Sequence, residues 1–336
     1  MQLIITLDTE ADDQWQRRGP VTTENIAFIP PFQEICARHG FPPTYLCTHD
    51  VVSDPAFDRL LVPFERQGLA EIGAHLHPWT TPPLDEYWDQ TSRAYAYASE
   101  IPTSLFRRKL DTLTVALQTK CGKRPTSYRA GRWGFSAAHT EILLDLGYVV
   151  DCSVTPLLSW QDAGARERGQ DYREAPARPY YIAWGDPGRP GASSLVEVPV
   201  TVLQTNGLMR RSPVLAEWYR RSRKYAMAKG LNRLFRVAPQ WFRPFQDMTA
   251  DRLMDVFHTA RRLDLPIIQM AFHSSELMPG ASPHNPAPDD VARLLAKLDE
   301  VFSRLARENV TGAMLSVYAA AFRASDPRDA GTRRRA

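Results

Sequence analysis

The sequence predicts an α/β fold, a distorted barrel of seven or eight β/α units, and it does so through three features. Short β-rich runs recur, each followed by a stretch with helical periodicity. Polar residues fall repeatedly at the C-terminal ends of the apolar runs, the position that forms the active-site rim of a (β/α) barrel. The chain has 336 residues, 43% of them hydrophobic, and no internal repeat, so a single domain over roughly 1–322 is the economical description.

The expected strands are 3–8 (LIITLD), 43–48 (PTYLCT), 70–75 (AEIGAH), 126–131 (TSYRAG), 149–154 (VVDCSV), 195–201 (LVEVPVT), 267–274 (IIQMAFHS) and 312–317 (GAMLSV). Helical periodicity falls at 31–38, 55–67, 103–119, 137–146, 250–263 and 289–307, and this alternation implies a mostly parallel sheet. Two segments break the rhythm. Residues 161–194 are rich in Pro, Gly, Arg and Asp and read as a long loop or excursion. Residues 205–245 interleave MRRS, RRSRK and AKGLNRLFR with Leu, Trp, Tyr and Phe, which suggests a basic amphipathic helical insertion between two barrel strands. That helix is either a solvated face or a lid making peripheral contact with an anionic or lipid-linked substrate. The Arg-rich residues 323–336 are expected to form a flexible tail.

Composition excludes several classes of function. Forty-one Lys+Arg against 38 Asp+Glu give a formal charge of +3, too small for wholesale nucleic-acid binding. The start, MQLIITLDTE, lacks a secretory signal's basic flank, and no apolar run is long enough to span a membrane. Cys36, Cys47, Cys121 and Cys152 show no CxxC spacing, which suits reduced thiols and a cytoplasmic location. Neither GxSxG, GxGxxG nor a Walker loop is present, which disfavours serine chemistry and nucleotide cofactors.

The chemistry is expected at five strand ends. In ITLDTEADD, Asp8 and Glu10 share side-chain parity, so one can hold a metal while the other acts as base; a turn or capping cluster is the alternative. In EIGAHLHPW, His75 and His77 also share parity and can chelate one ion, with Trp79 walling the pocket; histidines bonded to backbone carbonyls are the alternative. A carboxylate plus HxH makes a three-ligand site that leaves a position for water. In SYRAGRWGFS, Arg129 and Arg132 stand beside glycines, and a guanidinium near a catalytic carboxylate keeps it ionised; salt bridges on the rim are the alternative. Asp151 follows buried hydrophobes and therefore needs a partner, for which a cationic histidine or arginine would serve. His273, leaving an apolar strand in QMAFHSSEL, is a candidate general acid; a satisfied core histidine is the alternative.

In this order the motifs resemble the polysaccharide deacetylases with a NodB homology domain, carbohydrate esterase family 4, over about residues 1–277. LDTE, HLHPW, YRAGRWG and FHSSEL look most like the cytoplasmic deacetylase-like proteins of bacterial surface-polysaccharide and lipopolysaccharide biosynthesis. The resemblance implies a distorted (β/α) barrel that binds a divalent ion, usually zinc, and hydrolyses an N-acetyl group from an amino sugar. It implies Asp8 as general base, Glu10, His75 and His77 as ligands, Arg129 orienting Asp8, and His273 as general acid tuned by Asp151. Trp79, Arg132 and Trp133 complete the set as candidate substrate-binding residues. The chain departs from the family at Asp-Thr-Glu, where a pair of aspartates is usual, and at H-L-H, where the usual spacing is H-x-x-x-H. Two other readings stand beside this one. One is a non-catalytic carbohydrate-binding scaffold on a degenerate barrel; the other is a metal-dependent amidohydrolase or phosphoesterase acting on a small molecule.

Overall fold

A computed structural model describes residues 1–12, 20–84, 97–161, 168–222 and 237–326. Five parallel strands lie side by side in chain order: β1 (Gln2–Thr9), β2 (Pro43–Cys47), β3 (Glu71–Leu76), β4 (Ser127–Ala130) and β5 (Val150–Asp151). The segment expected to be a loop is more ordered than its composition suggests. Its β6 (Ser159–Gln161) and β7 (Arg168–Asp171) form one hairpin, and β8 (Tyr180–Ala183) and β9 (Asp186–Pro190) form another. The second hairpin pairs antiparallel with β10 (Val196–Glu197), which is itself parallel to β5. A short antiparallel pair, β11 (Val202–Leu203) with β12 (Gln240–Trp241), brackets the insertion. The long β13 (Ile267–His273) is parallel to β1 over seven residue pairs, and β14 (Thr311–Gly312) adds a short bridge to β1.

Backbone bonds around residues 198–201 curl this sheet into a barrel. Val198 and Val200 donate to Asp151 and Val154 on one side, while Thr201 donates to Gln269 of β13 on the other. Seven parallel strands thus line the barrel among the described residues. The helices expected between strands are present at Pro30–His39, Thr103–Cys121, Ala137–Asp145, Ala250–Arg262 and Pro288–Arg307; residues 55–67 are broken into short helical segments.

Alternation sorts the side chains into two layers. Leu3, Ile5, Leu7, Tyr45, Ile72, Ala74, Tyr128, Ile268 and Met270 face the surrounding helices and join the larger apolar core. Ile4, Leu46, Val150, Val196 and Ile267 fill the inside of the barrel near its N-terminal end. Above them, on the same parity, come Thr6, Asp8, His75, Arg129 and His273.

The expected eighth strand, GAMLSV, is corrected by the structure. After β14 the chain forms the helix Leu315–Ser325, because Leu315, Tyr318, Ala319 and Phe322 recur at helical spacing and pack on Ile4, Leu46 and Ile267. Glu71 seats this helix. It accepts from Ser316 N–H at 3.0 Å, from the Thr44 hydroxyl at 3.1 Å and from the Ser127 hydroxyl. Removing the carboxylate in Glu71→Ala leaves these buried donors unpaired and should cost about 2–3 kcal/mol in chemical denaturation. A loss below about 0.5 kcal/mol, the usual effect of a surface substitution, contradicts this role.

Candidate active site

Asp8 and Glu10 leave the end of β1 on one side, and His75 and His77 do the same from β3. Glu10 Oε2 lies 3.1 Å from His77 Nε2 and 3.5 Å from His75 Nε2. One ligand atom from each of the three residues falls within 4.8 Å of the other two, and all three residues are buried. His75 Nδ1 sits 3.0 Å from the Arg129 carbonyl; donating there, it leaves the Nε2 lone pair turned toward Glu10, as a metal-binding imidazole requires. Glu10 is held from outside the strand: its N–H donates to Ser274 Oγ at 3.2 Å, and its carbonyl accepts from Asn25 Nδ2 at 2.8 Å. Asp12 belongs to that support, not to the site, since its carboxylate accepts the Glu24 and Asn25 N–H groups at 2.9 Å each.

Arg129 fixes Asp8. Fully buried, it donates from Nη1 to Asp8 Oδ1 at 2.6 Å, from Nη2 to Thr6 Oγ1 at 2.7 Å and from Nε to the Cys152 carbonyl at 3.1 Å. The hydrogen-bond network orients Gln269 with its nitrogen on the Val198 carbonyl at 2.7 Å and its oxygen on Arg129 Nη2 at 2.8 Å, tying the pair into the barrel closure. Burial pushes the Asp8 carboxyl up, but Arg129, His75 and His273 outweigh it and hold the group below its ordinary value. Glu10 behaves alike: burial raises it, and His273 with bonds from His75 and His77 lowers it further than burial raises it. Burial pulls both imidazoles down. His75 ends above its ordinary value through Asp8 and Glu10, whereas His77 stays below.

The third side is His273 at the end of β13, in register with Asp8. Its Nε2 lies 3.8 Å from both Asp8 Oδ2 and Glu10 Oε1. Its Nδ1 lies 3.0 Å from Glu276 Oε1, which also accepts the His273 N–H at 2.9 Å. Arg243 Nη2 donates to the same Glu276 oxygen at 2.5 Å. Burial raises Glu276, but Arg243 and His273 bring it down to about 2. Glu276 and Arg243 were not anticipated from the sequence. The i,i+3 spacing in HSSE is a legible capping signal for Glu276, whereas Arg243 carries no local signature.

The expected link between Asp151 and His273 gives way to a different partnership. Asp151 is in register with Tyr128 and Glu197, so its side chain points to the outer face of the sheet, away from Asp8. There it accepts from Ser153 N–H at 3.0 Å and Ser153 Oγ at 2.7 Å, and Ser153 Oγ in turn accepts the Ala130 N–H at 2.8 Å. Its remaining partner is Glu197. Burial, then the Asp151 charge, raises Glu197 well above its ordinary value, so Glu197 keeps a proton to share with Asp151. Asp151 therefore buttresses the strand that carries Arg129, and Glu276 takes the place expected of it beside His273.

Arg132 and Trp133 both adopt left-handed backbone, with φ of 52° and 62°, at the mouth of a cavity of about 510 Å³. Glu10, His75, His77, Asp8 and His273 line one end of it, with Trp79, Tyr97, Trp133, Trp160, Trp241 and Phe245 around them. Trp79 stacks on His77 at 4.2 Å between ring centres, and the Arg132 guanidinium stands 5.7 Å above Trp79. Trp133 lies 6.2 Å from Trp160 and 5.9 Å from Trp241. Thus all three expected substrate-binding residues reach the cavity, and the insertion adds Trp241, Arg243 and Phe245.

The barrel matches solved structures along nearly its whole length. A protein of Mycobacterium smegmatis assigned as a polysaccharide deacetylase is 16% identical, with a TM-score of 0.55 over 96% of this chain and 90% of that one. The fold is that of the polysaccharide deacetylases. A glycoside hydrolase/deacetylase assignment from Parabacteroides distasonis matches this deacetylase barrel with 13% identity and a TM-score of 0.62, over 97% of this chain and 72% of the other. The Puue allantoinase matches with 15% identity and a TM-score of 0.53, over 97% and 91%. At such identities the likeness establishes the barrel alone, and its chemistry has to come from the residues. No protein-family model and no curated protein sequence matches the chain.

Two outcomes follow from these contacts. A Cβ at Gly131 would fall 2.5 Å from His77 Cδ2 and 2.7 Å from the Leu76 carbonyl, so Gly131→Ala must displace His77. Calorimetric titration should show divalent-ion affinity falling about 10–100-fold, as for other disturbed ligand supports; unchanged affinity removes His77 from the ligand set. Glu197, protonated in the fold, stabilises it fully below its ordinary value of 4.5, and this stability is lost as pH rises through the elevated folded value. Glu197→Gln cannot ionise, so its stability relative to the parent should grow between pH 5 and 9, by at most about tenfold in folding constant per pH unit. A difference independent of pH means that Glu197 is already charged in the fold.

Proposed function

We propose that the protein is a metal-dependent hydrolase that removes an N-acyl group, foremost acetyl, from a sugar or glycan precursor in surface-polysaccharide biosynthesis. The observation that carries this reading is the meeting of three functions in one cavity: a Glu10–His75–His77 donor cluster, an ionised Asp8 locked by Arg129, and His273 facing both carboxylates. A binding protein needs no such combination.

The donor set fits a divalent ion. Two imidazoles and a carboxylate suit zinc, and the tautomer fixed by the Arg129 carbonyl offers the correct nitrogen of His75. When held there, the ion supplies Lewis acidity toward an acyl oxygen and lowers the pKa of a water. The protein's own residues handle the protons. Asp8 Oδ1 is committed to Arg129, so Oδ2 takes a proton from the attacking water while the water oxygen bonds to the acyl carbon. As the C–N bond breaks, His273 Nε2 gives its proton to the leaving nitrogen, and Glu276 with Arg243 keeps the ring aimed. The tryptophan walls offer flat apolar faces to a sugar ring. Cytoplasmic placement belongs to the same reading, supported by four free cysteines, three of them buried. A small-molecule amide is the second reading, since the same donor cluster, base and acid would serve it.

The test is acid release by the zinc-loaded protein from a panel of N-acetylated and N-formylated sugars, nucleotide sugars, lipid-linked glycans and small cyclic amides. Asp8→Asn and His273→Ala should each lower kcat about 10³-fold, within the range for lost acid–base catalysis, without loss of bound ion. Near-normal turnover in either variant contradicts these roles, and turnover of the cyclic amides alone selects the second reading.

A further inference from the structure

The described start of the basic insertion, residues 205–222, turns several of its apolar side chains outward. It begins with the short helix Gly207–Arg211, whose first N–H groups are capped by Asn206 Oδ1, and continues in the helix Pro213–Ser222. Tyr219 anchors the inner side against Val237, Met209 and Ala238. The other side carries Leu208, Val214, Leu215 and Trp218, of which Leu208 is 64%, Val214 78% and Trp218 50% exposed. Val214, Leu215 and Trp218 recur at helical spacing and form one outward stripe. Elsewhere among the described residues, large exposed apolar side chains occur singly along the chain. Arg210, Arg211 and Arg221 are exposed beside the stripe, and residues 207–221 hold four arginines against one glutamate.

An outward apolar stripe containing a tryptophan and bordered by arginines matches the boundary between headgroups and acyl chains of a bilayer rich in anionic lipid. The insertion is also tied directly to the cavity. Gln204 Nε2 donates to the Val237 carbonyl at 2.9 Å, and a few residues later the same limb delivers Trp241, Arg243 and Phe245 to the cavity wall. We infer that Leu208, Val214, Leu215 and Trp218 dock the protein on an anionic membrane surface, holding the cavity at the headgroup layer. This rests on the deacylase reading only for what is processed there: an N-acylated sugar on a lipid carrier, in preference to a free one.

Docking is tested without substrate or metal, so its failure is separate from any failure of the hydrolase reading. The full chain is sedimented with phosphatidylcholine vesicles, with or without about one third phosphatidylglycerol, over a salt series. The expected result is binding to the anionic vesicles alone, weakening as salt rises. Val214→Ser combined with Trp218→Ser should lower the partition coefficient about tenfold, and Arg210→Gln with Arg211→Gln should lower it about thirtyfold if each arginine contributes as juxtamembrane cations do. Both double variants should keep the parent's circular dichroism spectrum, and the arginine pair keeps the test valid if the apolar pair fails to fold. Equal binding to neutral vesicles, none to either, or undiminished binding by the variants overturns the inference. So does a parent dimer that becomes monomeric in the Val214/Trp218 variant, which assigns the stripe to a second copy of the chain.

Discussion

The site depends on one buried ion pair. Arg129 and Asp8 lie inside the barrel, and an arginine with its carboxylate removed would be left as an uncompensated buried charge, costing about 3–5 kcal/mol. The pair contributes little net stability for its desolvation, so its value lies in placement. Arg129 joins β4 to β1 through Asp8 and Thr6, and to the barrel closure through Gln269. It thereby fixes which Asp8 oxygen faces the cavity. Its carbonyl also sets the tautomer of His75, so one residue orients both the proposed base and a proposed ligand.

Much of this was legible because the period of a strand is two. The D-x-E and H-x-H pairs announce side chains that share a face, and the structure places all four on the barrel interior. Asp151 shows the limit of the same logic. A residue's parity relative to a neighbouring strand is set by register, which one strand's sequence does not contain, and a single step turned Asp151 outward toward Glu197. Arg243 was hidden for another reason: it reaches His273 only because β11 and β12 pair across the insertion, a non-local contact. The final helix has no legible local signal, because GAMLSV is too short for period two and period 3.6 to be told apart. Residues 223–236, which hold much of the expected basic helix, and 327–336, most of the expected tail, lie outside the described residues.

The compressed H-L-H spacing has a structural counterpart in the strand beside it. Both imidazoles emerge on one side from the end of β3, with ring centres 4.6 Å apart, and the neighbouring β4 turns away at Gly131, where a side chain has no room. Glu10 reaches from the end of β1 to meet both. Trp79 then closes the far face of His77 and begins the aromatic wall that the insertion completes with Trp241.

The central claim is that Glu10, His75 and His77 hold one divalent ion while Asp8 does not. Anomalous scattering at the zinc edge from a crystal grown with the metal measures this most directly. The account predicts one peak per chain at about 2.0–2.2 Å from Glu10 Oε2, His75 Nε2 and His77 Nε2, with Asp8 still paired to Arg129. A peak ligated by Asp8 in place of Glu10, or no peak within the cavity, contradicts it.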